Sequence, residues 1–165
     1  MTPPRTPNAS PPETLDKYEL AILEILQQDA RAGVQEIADQ IGLSVSPTWR
    51  RIRALEERGY IENYIAVLDV EKLGFKQCVF AHVTLAKHDR AAVRQFEQTI
   101  ERRSEVLECF SMTGDADYLL RVIVRETPDY EQFLQEAVYS CPAVQSVRSN
   151  FALRKMKFTL RVPFE

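Results

Sequence analysis

The sequence predicts an α+β protein made of two unlike parts, and three observations carry this. Apolar residues recur at helical spacing in three short segments up to Gly59. Beyond Gly59, β-branched and aromatic residues rise and the spacing becomes that of strands. From residue 77 the segments read strand, helix, strand, strand, helix, strand, the order of a ferredoxin-like βαββαβ domain.

Residues 1–13 hold Pro3, Pro4, Pro7, Pro11 and Pro12. Proline lacks the backbone donor and resists helix and sheet, so a flexible tail is expected. The first helix opens at Asp16, which forms a capping box with Glu19, and Leu15, Ile22, Leu23 and Leu26 share one face. The second helix, 34-VQEIADQIG-42, buries Ile37, Ala38 and Ile41 and stops at Gly42. After the link 43-LSV-45, a third helix is expected with Ser46 as its N-cap, Pro47 at its first position and Gly59 at its end. Two short helices joined by a turn of three or four residues form a helix-turn-helix.

A connecting strand is expected over 60-YIENYIAVLD-69. In 77-QCVFAHVTLA-86, Val79, Ala81, Val83 and Leu85 alternate with Cys78, Phe80, His82 and Thr84. The helix 89-DRAAVRQFEQTIERR-103 carries Val93, Phe96 and Ile100 on one face. Strands over 106–113 and 117–125 join around Gly114–Asp115. Thr127 then caps a helix with Pro128 at its first position and Tyr130, Phe133, Leu134, Ala137 and Val138 as its buried stripe. A last strand spans 144–158. The expected division is a tail (1–13), a helix-turn-helix domain (14–62), a connecting strand and hinge (63–76), a ferredoxin-like domain (77–158) and a C-terminal tail (159–165).

No apolar run approaches the roughly 20 residues that span a bilayer, and the first residues lack the apolar centre of a secretory signal. A cytoplasmic protein without a membrane partner is expected. The three cysteines, Cys78, Cys109 and Cys141, form no CxxC pair, so they are read as buried or half-buried thiols and no metal site is expected. No nucleophile–base–orienter set and no Gly-rich phosphate loop accompany the two histidines, His82 and His88, so no catalytic residue is assigned and an enzyme is not expected. His82 reads as a half-buried structural residue on its strand.

The formal net charge is −3, yet Arg50, Arg51 and Arg53 crowd one helical turn beside Trp49. A nucleic-acid binder of this balance must concentrate its positive charge locally. On a helical wheel Thr48, Ile52 and Leu55 face the other helices. Ser46, Pro47, Arg50, Arg53 and Ala54 fall opposite, with Arg51 and Trp49 on the flanks. Arginine pairs with both major-groove acceptors of guanine and with phosphate, and Ser46, Thr48 and the helix N-terminus can donate to phosphate. The bland alternative is a solvated face in which Glu56 and Glu57 pair with Arg53. The helix-turn-helix context favours double-stranded DNA as the partner. Trp49 is expected to pack against the first helix rather than touch a base.

The motifs 15-LDKYELAILEILQQDAR-31, 43-LSVSPTWRRIRALEERGYI-61 and 114-GDADYLL-120 resemble the Lrp/AsnC (leucine-responsive/asparagine regulator) family of transcription factors over about residues 14–160. The resemblance implies an N-terminal winged helix-turn-helix, a C-terminal ferredoxin-like sensor domain, a homodimer that assembles to tetramers or octamers, and a small-molecule effector, an amino acid, in place of any cofactor. It implies a transcription regulator acting on amino-acid metabolism. The alternative is a nucleoid-associated protein that wraps DNA without an effector. Residues matching the recognition helix are Ser46, Pro47, Thr48, Arg50, Arg51 and Arg53. Residues matching the effector region are Met112, Thr113, Gly114, Asp115 and Asp117 in the turn, and Thr127, Asn150 and Ala152 elsewhere. Successive amides at Gly114 and Asp115 suit a carboxylate, and Asp117 suits an α-ammonium. Taken alone, the same turn reads as a plain Gly-Asp hairpin. Thr48, Ala116 and Asn150 depart from family residues at their positions. The Trp49-bearing helix and 150-NFALRKMKFTLRVP-163 resemble a subgroup tied to amino-acid catabolism, pointing to cysteine or proline.

Overall fold

The computed structural model describes residues 14–86 and 90–164. The proline-rich tail, His88 and the predicted helix start at Asp89 lie outside the described residues. The chain divides into two compact units. The first reaches to Val67 and takes in the chain from Phe158 onward; the second is Leu68–Lys157.

The first unit holds α1 (Lys17–Gln28), α2 (Val34–Ile41) and α3 (Val45–Glu57). The capping box forms as expected. Asp16 Oδ1 accepts from the N–H groups of Tyr18 and Glu19 at 2.8 and 2.9 Å, and Glu19 Oε2 accepts from Asp16 N–H at 2.9 Å. Ile22, Leu23, Ile37, Ile52 and Leu55 make the core. Gly42 ends α2 at φ +70°, a left-handed conformation that glycine adopts without a Cβ penalty.

The start of α3 corrects the sequence reading. Its N-cap is Ser44, not Ser46, and Pro47 is the third helical residue rather than the first. Thr48 N–H makes the first intrahelical bond, to Ser44 O, and its hydroxyl donates to the same oxygen at 3.0 Å. A proline is tolerated at any of the first positions, since none of those N–H groups has an acceptor within the helix.

The expected connecting strand over 60–69 does not form: residues 61–69 have no regular structure. Their β-branched side chains suit a strand, but a strand needs a ladder partner, and none is present among the described residues. The C-terminal segment from Phe158 is likewise irregular. Gln27 holds it with both ends of its amide, Nε2 donating to Val162 O at 3.0 Å and Oε1 accepting Val162 N–H at 2.8 Å.

The second unit is a four-stranded antiparallel sheet in the order β2-β3-β1-β4. Its strands are β1 (Gln77–Leu85), β2 (Val106–Ser111), β3 (Tyr118–Val124) and β4 (Val144–Phe151). Helix α4 (Arg90–Glu101) and helix α5 (Thr127–Phe133), the latter running on as a π-helical turn over Leu134–Tyr139, cover one face. Val79, Ala81, Val83 and Leu85 of β1 and Tyr118, Leu120, Val122 and Val124 of β3 bury against Phe96, Ile100, Tyr130 and Phe133. The α5 stripe is as expected, with Leu134 partly buried.

Several boundaries move, β2 ending at Ser111 rather than 113 and α4 at Glu101 rather than 103. The N-cap of α5 is Glu126, with Thr127 and Pro128 as its first two residues. Strand β4 ends at Phe151, not 158, because its partner β1 begins at Gln77 and the last bond across runs from Ala152 N–H to Cys78 O. The other sheet face carries Cys78, Phe80, His82 and Thr84 of β1, Leu119, Arg121 and Ile123 of β3, Phe110 of β2 and Arg148 of β4, and Arg121 pairs there with Glu108 at 2.9 Å. His82 is half-buried, as expected. Cys141 is buried and Cys78 half-buried, but Cys109 is exposed, against the reading of three covered thiols. Burial of its sulfur and the nearby Glu97 carboxylate still push its thiol up to about 11. Among the described residues no helix is long and apolar enough to cross a membrane.

Candidate nucleic-acid interface and effector site

Two ion pairs clamp α3 onto the start of α1, and both use the capping-box carboxylates. Arg51 Nη1 binds Asp16 Oδ2, and Arg58 Nη1 binds Glu19 Oε1 at 2.7 Å. The Arg51 guanidinium also lies over the Tyr18 ring, 5.3 Å from its centroid. The hydrogen bond from Glu19 N–H and the Arg51 contact hold the Asp16 carboxyl below its usual range. Arg51, predicted to touch DNA, is therefore engaged inside the unit. This clamp was not foreseen, although the capping box and the basic turn were both visible in the sequence. Their meeting depends on how α3 crosses α1.

With Thr48, Ile52 and Leu55 buried, the opposite face of α3 points outward. Spacings of three and four put Ser46, Trp49, Arg50 and Arg53 on one stripe. Arg50 is exposed and makes no ion pair among the described residues. Arg53 lies over the Trp49 ring, 5.5 Å from its centroid, and pairs with Glu56 Oε2 at 3.3 Å. The other Glu56 oxygen takes Tyr64 O–H at 3.1 Å. Burial and Glu56 push the Tyr64 hydroxyl up to about 12. Trp49 itself is 50% exposed, so the expected packing role gives way to a ring presented beside Arg53. Ser46 is exposed and Pro47 half-buried at the first turn, where Val45 and Ser46 N–H lie among the groups without intrahelical acceptors. Thr48 is fully buried, with its hydroxyl bound to Ser44 O, which turns it away from the outward stripe.

The residues assigned to the effector are spread from one end of the sheet to the other. Met112, Thr113, Gly114 and Asp115 are exposed at the β2–β3 turn, where Gly114 adopts φ +116°. The N–H groups of Gly114 and Asp115 have no hydrogen-bond partner among the described residues. Asp117 stitches this turn to the end of β1. Its Oδ2 accepts Leu85 N–H at 2.7 Å, and its own N–H donates to Val83 O at 2.9 Å. Thr84 Oγ1 donates to Asp115 O at 3.3 Å.

Thr127 and Ala152 lie at the other end, where β1 begins, and Asn150 lies midway along the register, opposite Phe80. Gln77 Nε2 donates to Thr127 Oγ1 at 3.0 Å, and Asn150 pairs with Phe80 in the β1–β4 ladder. The register from Gln77–Val124 to Val83–Tyr118 separates the two ends by about 20 Å at the rise of a strand. One copy of the chain does not gather them. A cavity of about 480 Å³ opens near Thr127, lined by Gly74, Lys76, Gln77, Arg125 and Glu126. The Arg125 guanidinium lies over Phe75 at 5.0 Å and would be 2.6 Å from a Cβ on Gly74, which sits at φ +90°. Sequence reasoning missed this cavity. Its only signal was Gly74, placed in a segment read as hinge.

Known proteins agree with this architecture. Residues 15–62 match the family described as winged helix-turn-helix DNA-binding, and residues 78–162 match the Lrp/AsnC ligand binding domain. The Bkd operon transcriptional regulator of Pseudomonas aeruginosa is 42% identical over 86% of this chain and 93% of its own length. The proline dehydrogenase transcriptional activator of Rhizobium radiobacter is 33% identical, over 92% of this chain and 97% of its own. A transcriptional regulator of Neisseria meningitidis, solved as its L-methionine complex, superposes with a TM-score of 0.86 at 32% identity, covering 91% of this chain and 97% of that one. The chain belongs to the Lrp/AsnC family of DNA-binding transcriptional regulators and is not an enzyme.

Proposed function

We propose that the chain regulates genes of amino-acid metabolism by reading an operator with α3, and that an amino acid bound to its second unit changes that reading. The observation that carries the DNA half is the outward stripe of α3, where Arg50 and Arg53 stand exposed opposite buried Thr48, Ile52 and Leu55. Arg50 and Arg53 read bases. Ser46, Pro47 and the first-turn N–H groups lie against the phosphate backbone. Arg51 acts through the clamp that sets the angle of α3.

The effector half rests on the turn at 112–117 and the cavity near Thr127. The amide pair of Gly114 and Asp115 suits the carboxylate and Asp117 the ammonium of an amino acid. Because Thr127 and Ala152 stand at the far sheet end and Asn150 midway, all the assigned residues join one site only if a second copy brings its own sheet to the turn. The open sheet face, with Phe80, Phe110 and Leu119, suits a second copy as well, so the working form is a homodimer or a higher assembly of it. The relative solved with L-methionine and the one named for proline dehydrogenase support an amino acid as the ligand class.

Thermal unfolding against the twenty amino acids tests this. A ligand at 100 times its Kd adds about 2.7 kcal/mol. One amino acid is expected to raise the midpoint by several degrees and to change affinity for a selected operator. A flat panel, together with equal affinity for operator and random DNA, would instead indicate a DNA-wrapping protein without an effector.

A further inference from the structure

Trp49 is an unexpected residue to find on the outward stripe. A half-exposed indole costs solvation that packing against α1 would recover, yet its ring stands 50% exposed beside two arginines. It also holds Arg53 in place. The Arg53 guanidinium rests over the indole on one side and on Glu56 on the other, and Glu56 is fixed in turn by Tyr64. A guanidinium held between a ring and a carboxylate loses little freedom when it pairs with a base.

Arg53 and Trp49 are four residues apart, one above the other on α3. With α3 in the major groove, the ring centroid stands 5.5 Å from the Arg53 guanidinium, between one and two of the roughly 3.4 Å steps that separate stacked pairs, so the ring meets a base pair within two steps of the one that Arg53 reads. The major groove offers an arginine fork the O6 and N7 acceptors of guanine, and offers an apolar side chain the 5-methyl group of thymine. Cytosine and the purines present no methyl there. The charge around the ring, Arg50 and Arg53 with no acidic residue on the stripe from Ser46 to Arg53, suits a polyanion as the occupant of this face.

We propose that Trp49 is a second base-reading side chain of α3, its ring taking the 5-methyl group of a thymine within two base pairs of the guanine that Arg53 reads. This rests on the operator reading of α3 given above. Each half-site of the operator then contains a thymine within two base pairs of a guanine, and that thymine is read by its methyl group alone.

The test uses the full chain. Duplexes selected from a randomised pool supply the operator, and deoxyuridine, which differs from thymidine only by that methyl, replaces each thymine in turn. At one thymine per half-site, within two base pairs of a guanine, deoxyuridine is expected to weaken binding about fourfold, the worth of one buried methyl. The Trp49→Ala variant should bind the thymine and deoxyuridine duplexes equally, and Trp49→Phe should restore part of the difference. Trp49 is half exposed, so neither variant disturbs the core, and circular dichroism checks that both fold. Equal binding of parent protein to every deoxyuridine duplex overturns the proposal while leaving the operator reading intact. A methyl effect that survives in Trp49→Ala overturns it too. A pool that yields no enriched sequence overturns the operator reading and this inference together.

Discussion

Asp117 has two tasks, and two substitutions separate them. Its Oδ2 accepts Leu85 N–H at 2.7 Å, and Leu85 is only 3% exposed. Asp117→Ala leaves that N–H without its acceptor. A buried donor left unsatisfied costs about 1–3 kcal/mol, and here about 2 kcal/mol is expected. For a unit of this size that lowers the unfolding midpoint by on the order of 10 °C. Asp117→Asn keeps an oxygen facing Leu85 N–H, so it should cost less than about 1 kcal/mol. Both variants remove the carboxylate proposed for the effector ammonium. Thermal unfolding with and without the amino acid found in the panel reads both tasks at once. Asp117→Ala is expected to melt early and to show no ligand shift; Asp117→Asn is expected to melt near the parent and also to show none. An Asn variant with the full ligand shift would refute the ammonium role. An Ala variant as stable as the parent would refute the hydrogen-bond reasoning.

Two further outcomes follow from the first unit. Asp16 has a lowered folded pKa, so the stability it contributes is present above the unfolded value of 3.8 and is lost as pH falls through the folded value below it. Asp16→Asn keeps a capping oxygen but not the charge that binds Arg51; chemical denaturation should find it less stable than the parent at neutral pH, with the gap closing below pH 3.8. Gln27→Ala removes both bonds to the Val162 backbone, and hydrogen exchange should show Val162 N–H losing protection while the α1 core keeps its own.

What was legible in the sequence was what short-range periodicity encodes. Val79, Ala81, Val83 and Leu85 alternate because β1 has one covered face, and Thr48, Ile52 and Leu55 recur because α3 has one buried stripe. The Asp16–Glu19 box spans three residues and forms as read. Boundaries were less legible where two residues offered the same chemistry: Ser44 and Ser46 both suit an N-cap, and proline fits any of the first helical positions. The strand over 60–69 failed because side-chain preference does not supply a ladder partner. Long-range placement was hidden altogether. The predicted strand over 117–125 already sets Asp117 and Thr127, ten residues apart, at its two ends, but nothing in the sequence shows that Ala152 joins Thr127 there. Nor does the sequence show that Arg51 and Arg58 fold back onto the capping-box carboxylates, while Arg50 and Arg53 remain outward.

That division of the arginines is the centre of the account, and equilibrium binding measures it directly. The parent, Arg50→Ala and Arg53→Ala are titrated with selected operator and with random duplex over a range of salt concentrations. A bidentate guanine pair is worth about 1–3 kcal/mol of discrimination. Each variant is therefore expected to lose operator affinity by about tenfold or more and to relax preference at one base position per half-site, with random-duplex affinity nearly unchanged. Equal losses on operator and random duplex, with a salt slope reduced by about one, would make these arginines phosphate contacts and contradict the claim that α3 reads sequence through them.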